Sequence, residues 1–76
     1  MIRLRDWSLH RKGLYIHIWG EREEDGVATL TSPVISLSDA GVAETFTGSI
    51  YQLSGVGNDG KTVVEAKNAL GNESFL

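Results

Sequence analysis

The chain has 76 residues, of which 41% are hydrophobic, and it contains no cysteine. This length predicts one globular domain over residues 1–76, and the lack of cysteine excludes disulfides and thiolate-bound metals. The net charge of −3 argues against a general nucleic-acid-binding protein.

The first twelve residues are basic. They carry Arg3, Arg5, Arg11 and Lys12 against Asp6, a balance of +3, so the rest of the chain carries −6. No long apolar run follows these cations, so no signal peptide is predicted, and no stretch reaches the roughly 20 apolar residues that span a bilayer. We therefore expect a cytoplasmic protein without a membrane partner.

Short strands separated by turns are predicted from residue 14 onwards. In LYIHIW (14–19), the clearest strand, alternation points Leu14, Ile16 and Ile18 to one side of the sheet. The side chains that point the other way are Tyr15, His17 and Trp19. Further strands are predicted at VATLT (27–31), VISLS (34–38), VAETFT (42–47) and SIYQL (49–53), with IRLRDWSL (2–9) as a less regular first strand.

A tight turn is predicted at Gly48-Ser49. Glycine accepts the positive φ that a two-residue type II′ loop requires, which would place Phe46 opposite Tyr51. Such turns, and the absence of long crossovers between strands, predict an antiparallel β-meander of four to five strands, curled or barrel-like.

The last third of the chain predicts a short helix. Thr62 and Glu65 have the spacing of a capping box, and Gly71 stands where a helix C′ residue belongs. The apolar residues that share one helical face are Val63, Ala66 and Leu70. The predicted fold class is therefore α+β. An all-β fold is the alternative, because Thr-Val-Val favours strands and NDGK (58–61) suits a hairpin.

Residues 55–62, GVGNDGKT, match the phosphate-binding pattern G-x-x-x-x-G-K-[ST]. Over these eight residues the chain resembles the P-loop NTPases. The resemblance implies that Gly55, Gly57 and Gly60 cradle phosphate, that Lys61 contacts it, and that Thr62 binds magnesium.

Four features of the sequence argue against such a site. Only 14 residues follow Thr62, no parallel sheet is predicted around the loop, and the hydroxyl of Thr62 would be occupied if it caps the helix. Asp59 would also lie beside the bound anion. We interpret the loop as a structural connector and predict no cofactor, with phosphate or nucleotide binding as the alternative.

The aromatic residues allow two interpretations. Tyr15 and Trp19 belong to the core beneath the helix, or Trp7, Tyr15, His17 and Trp19 contact a partner. The acidic run offers a second partner-binding candidate, or a solvated turn, at Glu21, Glu23, Glu24 and Asp25. No metal site is predicted, since His10 and His17 are seven residues apart and not on one helix.

No catalytic spacing is present, and we predict that the protein is not an enzyme. The function stays unknown at this stage. The favoured hypothesis is a protein-interaction module, an adaptor or stoichiometric inhibitor of the type that mobile elements also encode, with a homodimer left open. The alternative is weak binding of nucleic acid or phosphate by the basic N-terminus or the 55–62 loop.

Overall fold

The computed structural model describes residues 1–70, which form one six-stranded sheet and one short helix. Gly71, the predicted C′ residue, lies outside the described residues. The elements in chain order are β1 (Ile2–Lys12), β2 (Tyr15–Arg22), β3 (Ala28–Leu30), β4 (Val34–Leu37), β5 (Val42–Thr45), β6 (Ile50–Leu53) and α1 (Val63–Ala69). The α+β prediction with a C-terminal helix is confirmed, and within residues 1–70 no helix is long and apolar enough to cross a bilayer.

The sheet has the order β3-β2-β1-β6-β5-β4 and is open, with β3 and β4 at its edges. The prediction of a four- to five-stranded, barrel-like, purely antiparallel meander is therefore wrong in these details. Strand β1 pairs with β2 antiparallel but with β6 parallel, in the register Ile2 with Tyr51 and Leu4 with Leu53. The parallel strands β1 and β6 are separated in sequence by β2 to β5. These four strands supply the long connection that parallel pairing requires.

A β-bulge explains why β1 is irregular in sequence. The register with β2 shifts between Arg5 and Ser8, so that Asp6 and Trp7 together oppose Gly20. Asp6 has a φ of 49°, and a Cβ on Gly20 would lie 3.1 Å from the Cβ of Leu4. The bulge resets the alternation of β1, which places both Leu4 and Trp7 on the core side.

The core lies between one face of the sheet and α1. The helix contributes Val63 and Ala66 to the cluster of buried residues that contains Trp7 and Ile18. The capping box is present as predicted, because the Thr62 hydroxyl accepts from the Glu65 N–H while the Glu65 carboxylate accepts from the Thr62 N–H. The local sequence thus fixes where the helix begins.

The turn between β5 and β6 differs from the two-residue prediction. Tyr51 pairs with Ala43 rather than Phe46, and Phe46 is 74% exposed. The Thr45 hydroxyl accepts from the Ser49 N–H at 3.2 Å, and the Gly48 N–H donates to the Thr45 carbonyl at 2.9 Å. These hydrogen bonds close a loop that runs from Thr45 to Ser49, which is longer than the predicted two-residue turn.

Candidate functional site

The sheet face opposite the core carries three of the four residues of the predicted aromatic and histidine set. Alternation along β2 directs Tyr15, His17 and Trp19 to that face, while Ile16 and Ile18 are buried on the other. Tyr15 is 44% exposed, and both His17 and Trp19 are partly buried. The expectation that Tyr15 and Trp19 form the core beneath the helix is therefore wrong.

Strand β1 places a polar or basic side chain opposite each of these rings. The cross-strand pairs are Lys12 with Tyr15, His10 with His17, and Ser8 with Trp19. On its other side Trp19 pairs with Leu30 of β3, which is 60% exposed. We call this surface the aromatic face, and its residues are His10, Lys12, Tyr15, His17, Trp19 and Leu30.

A shallow depression of about 310 Å³ lies on the aromatic face. Its lining residues are His10, Arg11, Lys12, His17, Trp19 and Leu30. The lining joins the apolar side chains of Trp19 and Leu30 to four polar or basic residues, a mixture that is also found at protein interfaces.

Hydrogen bonds orient the two histidines. The Nδ1 of His17 lies 2.7 Å from the carbonyl oxygen of Thr31, and because that oxygen can only accept, Nδ1 carries the proton. The other ring nitrogen, Nε2, is then left for contacts outside the fold. His10 Nε2 lies 2.6 Å from the Ser8 hydroxyl. Both rings are thus oriented by hydrogen bonds within the chain.

Trp7, the remaining aromatic candidate, lies away from this surface. It is 1% exposed, packs in the core and donates from Nε1 to the carbonyl of Ser54 at 3.2 Å. The bulge at Asp6 turns Trp7 inwards, and the sequence alternation alone could not show it. Trp7 is thus a core residue and not a surface anchor.

The loop at Gly55–Thr62 is folded onto Trp7. The carbonyl of Trp7 accepts from the Asn58 N–H at 2.8 Å. The N–H groups of Gly57 and Gly60 donate to the carbonyls of Lys61 and Gly57, respectively. A phosphate cradle needs several of these amides to converge on an outside anion, whereas here they are bonded within the chain.

The two polar side chains of the phosphate-binding pattern are engaged locally as well. Asp59 accepts from the Lys61 N–H at 3.1 Å, and its carboxylate lies 4.0 Å from the Lys61 Nζ. The Thr62 hydroxyl caps α1. An aspartate beside the lysine lowers the attraction for an anion, and the threonine hydroxyl is already in use.

The acidic run forms the end of β2 and the following turn. Glu21 lies 3.7 Å from the Arg5 Nε, and both Glu24 and Asp25 lie within 3.8 Å of the Arg22 guanidinium. Asp25 also accepts from the Val27 N–H. Three of the four carboxylates therefore lie near an arginine, Arg5 of β1 or Arg22 at the end of β2, while Glu23 is exposed beside them.

The Ser8–His10 hydrogen bond lies on the exposed surface of β1. Within residues 1–70, no three side chains among the histidines and carboxylates gather closely enough to hold a metal ion.

Comparison with known proteins finds no matching family model, no similar curated protein and no similar solved structure. The chemistry of the site therefore rests on its own geometry. Sequence reasoning missed three members of the aromatic face: His10, Lys12 and Leu30. The register of the Lys12–Tyr15 hairpin was the signal, since the two-residue Gly13-Leu14 turn sets which side chains oppose one another.

Proposed function

We propose that this chain is a non-catalytic protein-interaction module that binds its partner on the aromatic face. One observation carries the proposal: Tyr15, His17 and Trp19 project together from the sheet face opposite the helix, beside the exposed Leu30. Aromatic anchors held on a rigid sheet are the side chains that contribute most of the free energy of binding at protein interfaces.

The burial pattern supports this use of the surface. The fold has its own core on the other side of the sheet, with Leu4, Trp7 and Ile18 almost fully buried. The aromatic face is therefore not needed to complete the core. A large ring such as Trp19 that is left partly exposed beside an exposed leucine offers apolar area to a second molecule.

The phosphate-binding alternative has less support. The backbone amides of Gly57, Asn58 and Gly60 donate within the chain, and Thr62 caps the helix. An adaptor or stoichiometric inhibitor requires only a shaped surface, which the aromatic face supplies.

Affinity capture with the tagged chain tests the proposal. The wild-type chain should retain one stoichiometric protein from a lysate of the source cell, and Trp19→Ala should lose it, since removing an interface anchor costs about 2 kcal/mol or more of binding free energy. Phe46→Ala is the matched control, because it removes an exposed aromatic ring from a turn outside the aromatic face. Circular dichroism would verify that both variants are folded.

Two results would contradict the proposal. One is a captured protein that Trp19→Ala and Tyr15→Ala both retain at full occupancy. The other is the recovery of nucleic acid without any protein, with binding that falls steeply as salt is raised.

A further inference from the structure

The lining of the depression is basic at one end. Lys12 contributes a cation from the aromatic face, and the rings of His10 and His17 lie beside it. Among the described residues, no carboxylate lines this depression. The charge of its lining is thus opposite in sign to the net charge of the whole chain, which is −3.

The apolar and charged parts of the depression are adjacent. Trp19 and Leu30 are cross-strand neighbours, and Lys12 stands two residues along β1 from His10, which faces His17. Successive outward side chains on a strand are about 6.6–6.8 Å apart. One short extended segment could therefore contact the apolar pair and the basic group at once.

From this arrangement we infer that the partner presents an acidic segment in which a carboxylate side chain stands close to an apolar one. The carboxylate lies against Lys12, and the apolar side chain packs on Trp19 and Leu30. The inference rests on the proposed function and specifies the chemistry of the partner at the same surface. Complementary charges on the two molecules mainly raise the association rate and select among partners.

An acidic protein segment fits better than a nucleic acid. Glu21 follows Trp19 as the next outward residue of β2, and its carboxylate lies 3.7 Å from the Arg5 Nε, so the charge beyond Trp19 is balanced rather than positive. A nucleic acid repeats its phosphate at every nucleotide and depends on several cations in a row. The aromatic face has a single lysine, Lys12, at one end.

Synthetic peptides test the inference directly. The probes are a peptide of repeated Glu-Ser-Leu-Ser, whose glutamate and leucine side chains point to the same side of an extended segment, a peptide of repeated Lys-Ser-Leu-Ser, and a thymidine oligonucleotide. The indole and amide NMR signals of Trp19 give the readout, with the buried Trp7 as an internal reference. The glutamate peptide should shift the Trp19 signals, and the other two should not.

Charge reversal adds a matched pair of variants. Lys12→Glu should weaken the glutamate peptide by about tenfold or more, since it replaces attraction with repulsion. Lys61→Glu makes the same change in the 55–62 loop and should leave the affinity unchanged. The inference is overturned if the glutamate peptide leaves Trp19 unshifted, if Lys12→Glu binds as tightly as wild type, or if either other probe binds more tightly.

The capture experiment separates this inference from the proposed function. A partner that is lost with Trp19→Ala but retained with Lys12→Glu would refute the acidic segment and leave the interaction module standing. A partner that is indifferent to both variants would refute the proposed function itself.

Discussion

The carbonyl oxygen of Trp7 and the backbone of Gly57 are in such close contact that a Cβ at position 57 would lie 2.8 Å from that oxygen. The same carbonyl accepts the Asn58 N–H. The glycine-rich loop is therefore packed against the bulge of β1 through its backbone. Gly57 is required by this contact and not by a bound ligand.

Gly57→Ala should lower the free energy of unfolding by about 1–3 kcal/mol, since the new methyl group meets backbone rather than a movable side chain. Gly55 is the matched control: its φ is +62° and nothing lies within 4 Å of a Cβ there. Asparagine tolerates positive φ, so Gly55→Asn should be nearly neutral while Gly57→Asn should be as damaging as Gly57→Ala. Urea denaturation of the three variants measures the differences. Equal effects of asparagine at both positions would contradict the packing argument.

The bulge residue Asp6 gives a second prediction. Its φ of 49° is one that aspartate and glycine accept more easily than alanine. Its side chain is exposed, so the backbone effect should dominate. Asp6→Gly should match or exceed the wild-type stability, whereas Asp6→Ala should lose about 1 kcal/mol. Thermal denaturation would show the order, and an alanine variant as stable as the glycine variant would mean that the bulge relaxes without strain.

The sequence predicts those features of this fold that depend on neighbouring residues. The capping box places α1 because Thr62 and Glu65 are three residues apart, and the alternation of β2 correctly separates Ile16 and Ile18 from the aromatic side chains. Both patterns act within one element. Neither needs knowledge of what lies across the sheet.

The features that the sequence did not predict depend on contacts between distant segments. The parallel pairing of Leu4 with Leu53 joins the first and the last of the six strands at the centre of the sheet, and no local pattern encodes it. The bulge hides the alternation of β1, so Trp7 resembles a surface residue until its pairing with β2 is known. The residues of the aromatic face that lie on β2 were predicted from the sequence. His10 was identified as a member of this face only from the register between β1 and β2.

The 55–62 loop allows a direct test of the resemblance to P-loop NTPases. Addition of magnesium and ATP should leave the amide signals of Gly57, Gly60 and Lys61 in place, because the three N–H groups already donate within the chain. Thr62→Ala should lower stability by about 1 kcal/mol through the lost cap, and Thr62→Ser should restore it. Shifts of the three amides at micromolar nucleotide would show that the loop opens to bind phosphate.

Thr31 links the core to the aromatic face and gives the last prediction. It is 3% exposed, its hydroxyl accepts from the Ile18 N–H at 2.9 Å, and its carbonyl oxygen orients His17. Thr31→Val keeps the shape of the side chain but leaves the Ile18 N–H without its acceptor, which should cost about 1–3 kcal/mol of unfolding free energy.

Thr31→Ser is the matched control for this change. It retains the acceptor and removes only a methyl group, worth about 1 kcal/mol, so the expected order of stability is wild type, serine, valine. Amide hydrogen exchange at Ile18 should accelerate in the valine variant and change little in the serine variant. If the valine variant is as stable and as well protected as wild type, the hydroxyl does not hold β2 in register with the chain that follows β3. The orientation of His17 would then need another cause.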